Sequence, residues 1–222
     1  MSSGVTMPIF PLSNVVLFPR LHCPLRIFEQ RYRDMTAYAL AGDQRLGMVT
    51  VRPEAVDQMS GDPAIYEIGC AGVITEHQRL PDGRYNIVLL GTHRFRVVSE
   101  APRPADRTFR MAETELLAEQ DADDDESRLP ELRSRVIALA SEFISRANPE
   151  HGERFAAQNF GGVDDVALVN SLANSFPFGP SEKQQLLEAP GIGTRFEQLA
   201  DALEYRLAAS PVPSPSGPRT LH

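Results

Sequence analysis

The sequence is short of the residues that most catalytic and metal-binding signatures require. Among 222 residues it has one lysine, Lys183, and two cysteines, Cys23 and Cys70. Lys183 follows Glu182, so the Gly-Lys-Ser/Thr of a phosphate-binding loop is absent. Ser181 lies two residues away on the same predicted helix, where the side chains do not face each other, so no Ser–Lys peptidase dyad is predicted. Two widely spaced cysteines indicate neither a disulfide framework nor a zinc site, and we expect both to be reduced and structural.

A signal peptide, a membrane span and an excess of positive charge are also missing. No run is apolar enough to cross a membrane, and the opening residues MSSGVTMPIF contain neither a basic region nor a long apolar core. We therefore expect a cytoplasmic protein. The formal net charge of −8 disfavours binding to nucleic acid or to an anionic membrane. The scattered histidines indicate no metal site, and no pattern indicates a cofactor.

The apolar residues, at 42% of the chain, follow two different periodicities. In the first half, short apolar words separated by Pro and Gly predict strands, including a hairpin that turns at Leu80–Arg84. One helix is predicted there, over Glu29–Ala41. Beyond Leu129 the apolar residues recur at helical spacing, which predicts a bundle of about four helices. Capping boxes at Ser181 and Thr194 are predicted to open two of these helices.

These patterns predict an α+β protein with a β-rich unit over residues 5–118 and a helical bundle over residues 129–208. The acidic stretch 119–128 is interpreted as a solvated linker. Its spaced aspartates resemble a calcium loop, but Glu126 stands where such a loop requires Gly. The Pro- and Ser-rich residues 209–222 are predicted to be a disordered tail. The stretch Ala189–Thr194 resembles a phosphate-binding hairpin, but its acidic flanks favour an ordinary turn between helices.

The opening stretch PIFPLSNVVLFPRLHCPLRIFEQRYRDM resembles the N-terminal domain of Lon-type ATP-dependent proteases. The matching pieces are Pro11-Leu12, Val16–Pro19 and Pro24–Tyr32, followed in order by further pieces through the hairpin and the helical half. The resemblance covers about residues 7–208. Gln30 stands where many relatives have Pro, which is a minor departure because Gln continues a helix readily.

The resemblance implies a PUA-like pseudo-barrel followed by a helical bundle. It also implies a free-standing substrate-recognition module without ATPase or peptidase domains. Such a module would bind unfolded proteins or peptides, as an adaptor or a chaperone-like factor. A separate protease or ATPase, and weak self-association, are further candidate partners. Within the matching motif we expect a structural role, as barrel core or as an ion pair with a packed ring, for Pro24, Leu25, Ile27, Phe28, Glu29, Arg31 and Tyr32.

A peptide-binding surface is predicted at Phe18, Pro19, Arg20 and Leu21. A site for unfolded segments needs open apolar area beside polar groups, and Pro19 is expected to break the strand and lift its neighbours off the barrel. Arg20 would then hydrogen-bond a client while Phe18 and Leu21 contribute apolar contact. The alternative is that Phe18 and Leu21 belong to the core.

Two other functions stay open at this point. One is a hydrolase or peptidase that works without ATP, which an activity-based probe on a serine or cysteine would reveal. The other is RNA binding, because PUA-like barrels elsewhere bind RNA. The acidic balance and the lack of basic residues interleaved with aromatics argue against RNA.

The predicted organisation can be checked by limited proteolysis. We expect the first cuts in the acidic stretch or in the tail after Ala209, because exposed linkers and termini are cleaved before packed elements. Early cuts inside Tyr66–Val98 would contradict the predicted layout.

Overall fold

The computed structural model describes residues 4–119 and 126–209. The middle of the predicted acidic linker and all but the first residue of the predicted tail lie outside these ranges. The strands and helices are, in chain order, β1 (Val5–Leu12), β2 (His22–Ile27), α1 (Gln30–Ala41), β3 (Arg45–Thr50), β4 (Ile68–Arg79), β5 (Tyr85–Glu100), β6 (Arg110–Leu116), α2 (Leu129–Ala147), α3 (Pro149–Ala156), α4 (Asp165–Ser175), α5 (Pro180–Glu188) and α6 (Ile192–Ala209).

The six strands form one sheet that closes on itself. Their order is β2-β5-β4-β3-β1-β6, and an additional pairing joins β6 to β5. Only β1 and β3 pair in parallel; the other pairs are antiparallel. The long strand β5 makes the closure possible, since its first half pairs with β2 and its last residues pair with β6. The α+β class and the barrel followed by helices are therefore confirmed.

A single aromatic ring fills the narrow interior of the barrel. Phe95 is fully buried and packs with small or aliphatic residues from the other four strands of the closed ring, namely Met7, Ile9, Val49, Ala71 and Ala112. A Cβ atom placed on Gly47 or on Gly69 would lie 2.8 Å from the tip of the Phe95 ring. So small a barrel can therefore hold an aromatic side chain only because both positions are glycine and leave room for the ring.

The local signals in the first half were interpreted correctly. The hairpin turn at Leu80–Arg84 joins β4 to β5, and Gly83 has a positive φ of 81°. The backbone N–H of Leu80 donates to the carbonyl of Arg84 at 2.8 Å, which closes the turn. Helix α1 begins after Glu29 and ends before Gly42, as the sequence predicts.

The helical half differs from the prediction in number and in its helix starts. Five α-helices follow the sheet within the described residues, not about four. Helix α5 starts at Pro180, and the Glu182 carboxylate accepts from the backbone N–H of Gly179 at 2.7 Å, so Ser181 is not the cap. Helix α6 already begins at Ile192, which places Thr194 inside its first turn. Both predicted capping boxes are therefore wrong in position.

The helices do not have a core of their own. One contiguous cluster of buried apolar residues includes Phe10, Phe18 and Leu89 of the β-rich half together with Val169 and Phe196 of the helical half. The helices pack on the outer face of the barrel, while Phe95 fills its inside. The two predicted units consequently depend on each other for burial of their apolar faces.

Gly91 provides a test of this packing. A Cβ atom at Gly91 would lie 2.2 Å from the carbonyl oxygen of Phe18, which is backbone and cannot move aside cheaply. We expect Gly91→Ala to lower the free energy of unfolding by about 1–3 kcal/mol or more, as overpacking does. Gly162→Ala is the matched control, because nothing lies within 4 Å of its added Cβ. Urea denaturation of both variants measures the difference, and equal stabilities would contradict the observed packing.

Candidate functional site

A cleft of about 550 Å³ lies between the barrel and the helices. Pro19 and Arg20 from the loop before β2 and Thr92 and His93 from β5 form its barrel side. The opposite side is formed by the first residues of α2, α4 and α6 and the residues that adjoin α4 and β6, namely Ala118, Glu119, Leu129, Asp164, Asp165, Val166 and Ile192. The cleft combines apolar and charged side chains, as binding sites for flexible ligands do.

The predicted loop enters this cleft as a rigid turn. Arg20 has a φ of 70°, and the N–H of Leu21 donates to the carbonyl of Phe18 at 3.3 Å. Gly91 on β5 holds the turn through two backbone hydrogen bonds of 2.9 Å, to Arg20 and to Leu21. On the other side, the Asn170 amide donates to the carbonyl of Pro19 at 3.0 Å. The barrel and α4 thus fix the same turn.

Phe18 does not take part in an open surface. Its side chain is 0% exposed and belongs to the cluster shared with the helices, so the prediction that Pro19 lifts Phe18 off the barrel is wrong. Pro19 ends the strand-like segment but turns Phe18 inward. Leu21 is half-buried against the same cluster, whereas Arg20 is exposed. Within the described part of the chain, no hydrogen bond or ion pair engages the Arg20 side chain, which therefore can reach a ligand.

The wall of the cleft that faces Arg20 is acidic, and two of its carboxylates already form contacts within the protein. The Asp164 carboxylate accepts from the N–H of Ala167 at 3.0 Å and caps α4. The Asp165 carboxylate forms an ion pair with Arg133. Each group retains acceptor capacity toward the cleft, because a carboxylate has about four lone-pair directions. Arg20 and these carboxylates give the two walls opposite charge.

Two buried arginines share one carboxylate at the edge of the cleft. Arg94 on β5 is 1% exposed and Arg195 on α6 is 0% exposed. Each donates to one oxygen of Glu119, Arg94 to Oε1 and Arg195 to Oε2, both at 2.9 Å. Burial lowers the pKa of the Arg195 guanidinium, while the adjacent Glu119 carboxylate raises it. The three residues connect the barrel, the end of the β-rich half and the last helix.

Most of the remaining hydrogen bonds of both arginines are made to backbone carbonyls at the end of α5 and in its connection to α6, whereas the buried Nη2 of Arg195 has no hydrogen-bond partner in the described part of the chain. Arg195 also donates to the carbonyl of Leu186 at 3.0 Å and to the amide oxygen of Asn170 at 2.8 Å. Arg94 donates to four carbonyls, those of Ala118, Leu187, Ala189 and Pro190. Arg195 is therefore a structural residue of the predicted turn at Ala189–Thr194 and is not available to hold a phosphate.

The residues of the opening motif divide into buried and exposed groups. Arg31 pairs with Glu29 at 2.9 Å and stacks over the buried Tyr32 ring at 4.5 Å, as expected for a structural ion pair and a packed ring. Ile27 is buried, and Leu25 packs against the core from β2. Phe28, which was expected in the core, is 62% exposed. Pro24 is exposed on β2, which lies at the edge of the sheet and, among the described strands, pairs with β5 alone.

Other candidate reactive groups have structural surroundings. Burial raises the pKa of the Cys70 thiol inside the barrel wall, which keeps it protonated. Lys183 is half-buried and donates to the carbonyl of Asn174 at the end of α4 at 2.6 Å. In the ranges that the structure describes, three or more His, Cys, Asp or Glu residues never gather as a metal site would require. No helix there is both long and apolar enough to cross a membrane.

The sequence matches the family model of the ATP-dependent protease La (LON) substrate-binding domain over residues 6–204. Among curated relatives, it is 27% identical over 199 residues to Lon protease 1 of Syntrophobacter fumaroxidans. The aligned region covers 89% of this chain and 23% of that protein. It is 28% identical over 204 residues to Lon protease 2 of Desulfotalea psychrophila, covering 90% of this chain and 25% of that protein. The chain thus spans about a quarter of the length of these relatives.

Solved structures show the same fold. The N-terminal domain of the Mycobacterium avium complex Lon protease superposes with a TM-score of 0.65 at 17% identity, covering 90% of this chain and 98% of that one. The Lon N-terminal domain protein from Xanthomonas campestris gives a TM-score of 0.60 at 22% identity, covering 93% of this chain and 99% of that one. Both likenesses extend through the barrel and the helices.

The shared carboxylate can be tested by neutralising it. Glu119→Gln leaves two buried guanidinium groups with no anion, so we expect the free energy of unfolding to fall by about 3 kcal/mol. The Glu119 side chain is 17% exposed, which places the loss at the lower end for buried pairs. Glu131→Gln, at an exposed position of α2, is the matched control and should change stability little. Thermal or urea unfolding of the two variants gives the comparison. Equal stabilities would show that the shared carboxylate contributes nothing.

Proposed function

This chain belongs to the family of LON substrate-binding domains, and from that premise we propose that it is a non-catalytic module that binds exposed apolar segments of unfolded proteins or peptides. In this proposal it acts in the cytosol as an adaptor or chaperone-like factor. Because the chain spans about a quarter of its curated relatives, their ATP-dependent proteolysis is not transferred to it. A separate protease or ATPase that receives the bound client is part of the proposal.

The observation that carries this proposal is the cleft with Arg20 at its rim. Leu129 and Val166 are half-buried and offer apolar contact, and the Arg20 guanidinium has free donors for the carbonyls of an extended client. The turn that presents Arg20 is fixed from both sides, by Gly91 and by Asn170. It therefore loses little conformational freedom when a client binds.

The size of the cleft indicates weak binding. Each apolar side chain that a client buries would contribute roughly 1.5–3 kcal/mol before the cost of ordering a flexible segment. Two or three such contacts sum to about 3–9 kcal/mol before that cost, so the affinity is expected to be micromolar at the tightest. Weak affinity suits a module that must release its clients, because most differences in affinity appear in the dissociation rate.

Substitution of Arg20 tests the proposal. We expect Arg20→Ala to weaken binding of a permanently unfolded model protein, reduced and carboxymethylated α-lactalbumin, by about three- to tenfold, and Arg20→Glu to weaken it further. The melting temperature should stay nearly unchanged because Arg20 is exposed. Fluorescence anisotropy measures the affinity.

Arg26→Ala is the control, since Arg26 is also an exposed arginine but lies on β2 outside the cleft. Undiminished binding by Arg20→Glu would place client binding elsewhere. Leu21→Ser extends the test, but Leu21 is half-buried, so its binding data count only if its melting temperature is preserved.

A further inference from the structure

A second groove, separate from the cleft, lies between α5 and α6. We propose that this groove binds extended polypeptide segments that combine apolar with basic side chains. Its volume is about 480 Å³. The apolar part of its lining consists of Phe178, Leu186, Ala189, Pro190 and Ala202. The polar part consists of Gln185 and Gln198 together with three carboxylates, Glu182, Glu188 and Asp201.

The groove is held in shape from beneath. Arg94 donates to the carbonyls of Leu187, Ala189 and Pro190, which fixes the connection between α5 and α6. Arg195 donates to the carbonyl of Leu186 on the same helix end. A groove whose backbone is fixed before binding loses little conformational freedom when a ligand enters.

Two of the three carboxylates lack a full counter-charge. Glu182 is neutralised by Arg206, which donates to both of its oxygens at 2.8 and 2.9 Å. Glu188 accepts only from the neutral Gln184 amide at 2.9 Å within the described residues. Asp201 is 3.4 Å from Arg135, whose closer contact is with Glu204 at 2.8 Å. Glu188 and Asp201 therefore provide negative charge that a ligand can match.

The two amides make the groove suitable for a peptide backbone. Gln185 and Gln198 are exposed, and inside the described part of the chain neither side chain forms a hydrogen bond. An amide offers both donors and an acceptor, which is the complement of a peptide group. The open apolar contact comes from Pro190 and Ala202, because the other apolar lining residues are at most 6% exposed. Together with the amides and with carboxylates that lack a full counter-charge, this contact fits a segment with Leu-like and Arg-like residues. The same carboxylates repel nucleic acid and acidic segments.

Charge reversal in the groove tests this proposal. The probe is a short fluorescein-labelled peptide of repeating Leu, Ser and Arg, compared with its counterpart in which Glu replaces each Arg. We expect the double variant Glu188→Lys, Asp201→Lys to bind the Arg peptide about tenfold more weakly than the unmodified protein and to bind the Glu peptide more tightly. The difference for the Arg peptide should shrink as salt is raised.

The control is Glu131→Lys, Glu150→Lys, which makes the same change in net charge at exposed positions of α2 and α3 outside the groove. An equal loss in the control would mean that only net charge matters and would overturn the proposal. So would unchanged binding by the groove variant. If the groove substitutions altered the sedimentation coefficient of the protein without peptide, the groove would hold a second copy of the chain. That result would also overturn the proposal.

The test is distinct from that of the cleft. Arg20→Glu leaves the groove untouched and should not weaken binding of the Arg peptide, because Arg20 is not part of the groove lining. Loss of Arg-peptide binding in Arg20→Glu with retention in the groove variant would assign the peptide to the cleft and overturn the second site. The reverse pattern supports the groove, whatever the outcome for unfolded proteins at the cleft.

Discussion

The carboxylate of Glu119, shared by two buried arginines, is the interaction on which the arrangement of the two halves depends. Taking guanidinium groups out of water is costly unless an anion and hydrogen-bond acceptors compensate them. Glu119 supplies the anion to both Arg94 and Arg195, and the carbonyls around the end of α5 supply most of the acceptors. Because Arg94 lies on the barrel and Arg195 on α6, these bonds are satisfied in only one relative position of barrel and helices. The cleft and the groove are both consequences of that position.

Local features of the fold could be predicted from the sequence because their causes lie within a few residues. The turn at Leu80–Arg84 follows from Pro and from a glycine with positive φ, and the apolar stripe of α6 follows from helical periodicity. The motif of the opening stretch led to the correct family for a different reason, since its length and order are specific. The positions of the helix starts were less predictable. Gly179 and Glu182 form the observed cap of α5, so a nearby Ser that matched the usual pattern was misleading.

The site could be predicted only in part, because its partners are distant in sequence. Nothing near Arg94 in the sequence indicates that α5 and α6, more than ninety positions later, bury its side chain. The predictions for Phe18 and Phe28 were wrong for the same reason. Phe18 was predicted at the surface but is covered by the helical half, and Phe28 was predicted in the core but is left exposed. A useful signal was present in the acidic helical half. Arg195 directly follows Ala189–Thr194 and stands alone among its acidic flanks, and an arginine in such a setting is more easily explained as paired than as a free surface charge.

The two proposed sites differ in the charged groups that they offer to a ligand, and this has a consequence for recognition. The cleft presents the free cation of Arg20 opposite an acidic wall, and the groove presents the carboxylates of Glu188 and Asp201, which lack a full counter-charge. The connection between α5 and α6 separates them, with Ala189 and Pro190 lining the groove and Ile192 lining the cleft. An unfolded chain carries residues of both signs around its apolar segments, so it can satisfy both sites at once, whereas a short peptide of one sign satisfies only one. Two weak sites on one rigid support raise the overall affinity through effective concentration without any single strong contact. A module built in this way would favour long unfolded polypeptides over short fragments, and it would release fragments once a client had been cut.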